Sequence, residues 1–260
     1  NGASPSVALI HDKRMTAVHA SVSPIWDSPL RLCDETAWKS VRAHNQQYVA
    51  KLRRENPRLN SQRLLNHGFL GGTYGPVYNN QALAAGHQWR DLQQLAEQMA
   101  DNVFISRNFK SLKGRGVDLL FHPGTHDFVN FDIAWGGQHH PQIPLYLGAN
   151  SGHGQRMGHP RSERGQQNKA AFLLNHFFDD VAPLLEPPTV KSEIAGHRLK
   201  VTVTFKLGSQ AESGRIWWIY NRGPDGGAAY LGELIPDDHW QEMKGAASRN
   251  VWTAEINLKP

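Results

Sequence analysis

The sequence predicts an α/β protein in two parts: a parallel sheet interrupted by a helical insertion, then a small all-β sandwich of immunoglobulin-like size. Three observations carry this. Val117–Phe121 and Ile143–Leu147 are short apolar runs, each ending in a loop of small and polar residues. Residues 25–113, which precede the first of these runs, have helical character. After Pro183, Pro187 and Pro188 the pattern changes to strict alternation, as in the stretch 197–206 (HRLKVTVTFK). Apolar runs bounded by turn residues suit buried parallel strands, whereas alternation suits half-exposed antiparallel ones.

Along the chain, residues 1–12 (NGASPSVALIHD) read as a helix with close backbone packing. The stretch 15–23 is β-branched and mostly apolar, as an interior parallel strand should be. Within the insertion, one helix is expected from Asp34 to Glu55, ending before Pro57, and a second over Asn60–Asn66. A third is expected over Asn80–Met99, with Leu83, Trp89, Leu92, Leu95 and Met99 on one side. The glycine-rich loop between them, Gly68–Pro76, has no phosphate-cradle spacing. Glu163–Phe178 should be a helix burying Ala170, Ala171, Leu173, Leu174, Phe177 and Phe178. Further strands are expected at 215–220, 229–231 and 250–256. The expected organisation is therefore a sheet core from 1–24 and 114–183, a helical insertion at 25–113, and a β-sandwich at 188–260.

Composition sets bounds on function. The chain has 260 residues, 39% of them hydrophobic, with a net charge of +5 from 28 basic and 23 acidic residues. The basic residues form no stripe interleaved with aromatics, so no nucleic-acid partner is expected. There is no run of about 18 apolar residues, so no membrane span is expected. The single cysteine, Cys33, excludes an internal disulfide and a multi-cysteine zinc site. Six histidines crowd 122–159, but His139 and His140 are adjacent and none forms a helical His-x-x-x-His pair. No metal and no cofactor are expected.

The candidate chemistry lies in the two loops. His153 follows the second apolar run behind Gly148, Ala149, Asn150, Ser151 and Gly152. Histidine shuttles a proton near neutral pH without a large shift in pKa. Asp127 follows the first run, 26 residues before His153. That spacing leaves room for one helix and one strand, so both loops would open at one edge of a parallel sheet. There a carboxylate can accept the imidazole N–H and fix its tautomer. Asp27, after the strand at 15–23, is the rival acid; Asp132 lies inside a helical stretch and is the weaker choice. A serine nucleophile needs a strand-to-helix elbow. Ser4 and Ser6 lack a strand before them, and nothing fixes a base beside Cys33.

Asn1-Gly2-Ala3-Ser4, the run from Asp12 through Arg14 to Val18, the Pro123–Val129 loop and Ala149–His153 together resemble α/β-hydrolases. They are most similar to secreted bacterial hydrolases of the PhoPQ-activated pathogenicity-related type, and loosely to glucuronoyl esterases. The resemblance covers 1–23 and 115–180 well, and 25–113 and 188–260 only in kind. It implies the C-terminal part of an α/β-hydrolase sheet, with the insertion as a lid. It implies a serine hydrolase acting on a small ester, or less readily an amide, through an acyl-enzyme, with Asp127 and His153 as acid and base. The family elbow has the form Gly-x-Ser-Lys/Arg-x-Gly; if Asn1-Gly2 match its last two positions, the serine lies two residues before Asn1. The expected partner is thus a preceding segment or an N-terminal chain carrying the serine, as proteolytic processing of a precursor into a heterodimer would give. A secreted or periplasmic location goes with the resemblance. Trp26, Trp38 and Tyr74 are candidates to line a pocket under the lid. The rival class is a non-catalytic module in which a degenerate hydrolase fold and a Trp-rich sandwich hold a glycan or a protein.

Overall fold

A computed structural model describes residues 3–20, 81–125, 139–151, 163–178, 183–220 and 238–259, with short or single stretches at 35–57, 136–137 and 235–236. The architecture is mixed α/β, in two compact units. One comprises residues 1–170 with 222–234, and the other residues 171–221 with 235–260.

The first unit is built on parallel strands. Helix α1 (Ala3–His11) leads into β1 (Ala17–Ala20). Helices α2 (Trp89–Val103) and α3 (Ile105–Gly114) then lead to β2 (Asp118–Phe121). β1 and β2 pair in parallel, Val18 opposite Leu119 and His19 opposite Leu120. The stretch 144–148 lies parallel to the other side of β2, held by Phe121 N–H to Pro144 O, Tyr146 N–H to Phe121 O and Gly148 N–H to Pro123 O. Alternation along the strands divides the faces. Val18, Ala20, Leu119 and Phe121 form one face and pack with Leu9, Ile105, Leu112, Val117 and Ile143 into a single core. Leu9 and Ile105 are fully buried, so α1 and α3 cover this face.

Position 105 lies inside the stretch expected to be insertion, yet Ile105 and Leu112 belong to this core. The helix expected over Asn80–Met99 is divided: 81–84 is helical, the chain turns at Gly86 (φ +94), and α2 begins at Trp89. A capping box between Gln88 and Asp91 starts α2. Extended backbone at Phe104 separates it from α3, and Asn108 Nδ2 clamps the joint by donating to Asp101 O and Phe104 O. In the expected Asp34–Glu55 helix, the described residues Glu35, Thr36, Lys39, Ala43, Gln47, Ala50 and Arg53–Glu55 are helical.

One arginine ties α1 to the α3–β2 turn. The Arg115 guanidinium donates to the carbonyls of Leu9, Asp12 and Met15, at 3.0, 3.3 and 3.3 Å. Leu9 O is among the last carbonyls of α1, which have no partner within the helix. Arg115→Ala should lower the unfolding free energy by about 1–3 kcal/mol, since it strips bonds from part-buried carbonyls. Denaturant unfolding measures this, and Arg115→Lys should restore only part, because a single ammonium cannot span three acceptors.

The second unit contains the C-terminal half of helix α4 (Glu163–Phe178) and antiparallel sheets. Strands β3 (Thr189–Ala195), β4 (Arg198–Thr204), β7 (Lys244–Gly245) and β8 (Val251–Asn257) form one sheet in the order β3-β4-β8-β7. Strands β5 (Arg215–Trp217) and β6 (Trp240–Glu242) form another. Leu199, Val201 and Val203 stand opposite Ile256, Ala254 and Trp252, making one apolar face. Met243, Ala211 and Ile216 pack against it.

Helix α4 has the expected bounds but the opposite orientation. Phe172 is buried, whereas Leu173, Leu174, Phe177 and Phe178 are exposed. The half-buried positions are Gln166, Asn168, Lys169, Ala171, Asn175 and His176, so of the residues expected on the buried side only Ala171 is even partly covered. An apolar stripe at the right period does not decide which side faces inward.

Candidate functional site

The carboxyl ends of the parallel strands bring two loops together. Past Phe121 the chain continues through His122, Pro123, Gly124 and Thr125. Past Leu145 it continues through Tyr146, Leu147, Gly148, Ala149, Asn150 and Ser151. Gly124 and Gly148 bridge in parallel, and Thr125 N–H donates to Gly148 O at 3.0 Å. The contact is reciprocated one turn on, where Asn150 N–H donates to Thr125 Oγ1 at 2.9 Å. Asn150 has φ +57, a left-handed conformation that asparagine tolerates better than most residues. Ser151 follows, 6% exposed, and its hydroxyl has no hydrogen-bond partner among the described residues.

Beneath these loops lies a buried aromatic group. His19 on β1 and His122 after β2 lie on the sheet face opposite the main core, as the register and the alternation require. Their rings meet edge-on with centroids 6.2 Å apart, and His122 meets Tyr146 edge-on at 4.5 Å. His122 is 1% exposed. Burial, reinforced by His19 and by the Lys169 ammonium on α4, pushes its pKa down from 6.5 to about 4. Burial and the same Lys169 also lower His19. Both imidazoles are therefore neutral at physiological pH, which suits a structural base to the loops rather than proton transfer.

The positions singled out from sequence as Asp127, His153, Asp27, Trp26, Trp38 and Tyr74 lie outside the described residues, as do Asp132 and Cys33. Thr125 stands two residues before Asp127, and Asn150 three before His153. Ser4 and Ser6 both lie in α1, and Ser6 is buried at 1% exposure. Sequence reasoning missed the pairing of His19 with His122. Strand alternation puts His122 on the face of Leu120, but only the β1–β2 register adds His19 to it.

Among the described residues, no group of three or more His, Cys, Asp or Glu side chains could hold a metal ion. Among them also, no helix is long and apolar enough to cross a membrane. No family model matches the chain, nor does any curated protein or solved structure.

Proposed function

We propose that the chain is the C-terminal part of an α/β-hydrolase-type serine hydrolase that cleaves a small ester, or less readily an amide, through an acyl-enzyme. One observation carries this reading: the hydrogen bond from Asn150 N–H to Thr125 Oγ1, which joins the two loops at one edge of the parallel strands. In the sequence Asp127 follows Thr125 by two residues and His153 follows Asn150 by three. Acid and base in that order, on neighbouring loops at the carboxyl edge of a parallel sheet, are what a catalytic triad on such a sheet requires.

In this reading His153 takes the proton from a serine hydroxyl as the oxygen attacks the substrate carbonyl. It then gives that proton to the departing alcohol, leaving an acyl-serine. Water repeats the sequence, with His153 first as base and then as acid, and frees the carboxylic acid and the serine. Asp127 accepts the other imidazole N–H throughout. The serine and the oxyanion donors are assigned to a preceding segment or an N-terminal partner chain. Residues 25–113 would include the lid, residues 188–260 would be an immunoglobulin-like sandwich, and the location would be secreted or periplasmic.

The test is a fluorophosphonate probe on the complete protein. Labelling of the serine-bearing segment, slowed while an excess of a p-nitrophenyl ester is being turned over, supports the enzyme, and no labelling removes it. Asp127→Asn against Asp27→Asn decides the acid. The true acid should lose about 10⁴ in kcat, the size of effect known for this substitution in a serine protease, while the other variant keeps near-normal turnover.

A second reading rests on the second unit. Trp217 and Trp240, directly opposite on β5 and β6, stack with ring centroids 5.5 Å apart, and Arg215 lies over Trp240 at 5.1 Å. Trp240 is 37% exposed. A part-exposed tryptophan suits apolar contact with a sugar ring, as a glycan-binding module would need. Retention on immobilised polysaccharide, lost in Trp240→Ala, would favour this reading if the probe fails to label.

A further inference from the structure

Strand β3 is the edge of its sheet and is exposed at all seven positions. Val190 and Ile194 are 60% and 68% exposed. They stand opposite Val203 and Leu199, so they extend the apolar face of Leu199, Val201, Val203, Trp252, Ala254 and Ile256. On the other face Lys191 stands opposite Thr202, and Glu193 opposite Lys200. An exposed edge carrying exposed apolar side chains is a template for another strand.

The sequence of the edge selects the strand. Consider a second copy of β3 laid antiparallel about a two-fold axis through Ser192. Lys191 then faces Glu193 of the second copy, Glu193 faces its Lys191, and Val190 faces its Ile194. Both apolar side chains stay on the core face, so the apolar surface runs unbroken across the junction. The nearest registers that keep the faces matched centre on Lys191 or on Glu193. Each opposes two like charges on the axis, which is unfavourable. Pro187 and Pro188 stop the strand at one end, and the Gly196-His197 turn at the other. An edge lysine usually guards against pairing; here it has a complementary partner in one register alone.

We propose that two copies of this chain associate through β3, in an isologous contact centred on Ser192 that joins two four-stranded sheets into one of eight strands. The occupant is a second copy because the charge pattern is self-complementary. A seven-residue edge is a small contact against the roughly 1,200–2,000 Å² of a standard interface, so a weak dimer with a Kd on the order of micromolar is expected.

Sedimentation velocity of the full protein, with any chain it carries, at roughly 1–200 µM brackets that Kd. Wild type should pass from monomer to dimer over this range. Lys191→Glu places a carboxylate opposite Glu193 of the other copy, twice over by symmetry, and Glu193→Lys sets two ammonium groups together in the same way. Each should weaken the dimer at least about tenfold. Lys191→Glu leaves the ladder within the chain intact, because its neighbour there is Thr202. Mixed in equal amounts, the two variants present a pair of carboxylates to a pair of ammonium groups and should dimerise again. That recovery separates a lost contact from a lost fold. A wild type that stays monomeric throughout, a dimer indifferent to both substitutions, or variants that ignore each other on mixing would each overturn the proposal.

Discussion

His153→Ala in the complete protein should reduce ester hydrolysis by about 10⁵ to 10⁶-fold, with unfolding free energy unchanged. The size follows from the division of labour in a triad. Without its base the serine hydroxyl is a weak nucleophile, and what survives is substrate binding and oxyanion stabilisation. The loss should fall on kcat rather than KM, because a proton shuttle acts in the transition state and scarcely in ground-state binding. Reactivity toward the fluorophosphonate should fall with it, since that reaction draws on the same activated oxygen. The double variant with Asp127→Asn should be little worse than His153→Ala alone, because the acid acts only through the imidazole. Additive losses would show that Asp127 acts elsewhere, and retained turnover in His153→Ala would remove it from the mechanism.

Thr125 and Asn150 show how far the sequence leads toward such a site. The two apolar runs and the loops after them were legible because parallel strands are buried on both faces and their punctuation is local. α1, β1, β2, α4, β4 and β8 were recoverable on the same grounds, each being an apolar run or a clear period of its own. The missing elements are those whose identity depends on a neighbour. β3, TVKSEIA, has two large apolar side chains and exposes both of them, so its alternation signals no buried face. β6 and β7 are three and two residues long, and they are strands because Arg215–Trp217 and β8 lie beside them. The orientation of α4 depends on what packs against it, which a helical period does not state. The joining of the loops by Asn150 and Thr125 likewise needs the register of 144–148 against β2.

Acid should destabilise the first unit through His122. Buried beside His19 and Tyr146 with Lys169 nearby, the His122 imidazole holds its proton only below about pH 4, against 6.5 in the unfolded chain. Above pH 6.5 the group is neutral in both states and contributes no pH dependence. As the pH falls from 6.5 to 4 the unfolded chain gains a proton that the folded chain refuses, so stability declines across that window. Below pH 4 both states are protonated and the decline from this group stops. The difference between the two pKa values corresponds to on the order of 3 kcal/mol, a large share of a domain's net stability. His19 is shifted in the same direction and steepens the decline. His122→Phe keeps an edge-on ring against Tyr146 while removing the titration, so its stability should vary much less between pH 6.5 and 4. Urea unfolding at half-unit pH steps compares the two proteins. Parallel curves for wild type and variant would show that the acid sensitivity lies elsewhere. Because His122 stands three residues before Thr125, the same protonation should loosen the joined loops before the sheet itself opens. Exchange of the Thr125 and Asn150 amide hydrogens, which bond Gly148 O and Thr125 Oγ1, would then speed up at a higher pH than the unfolding signal, a separation that a uniformly titrating fold would not produce.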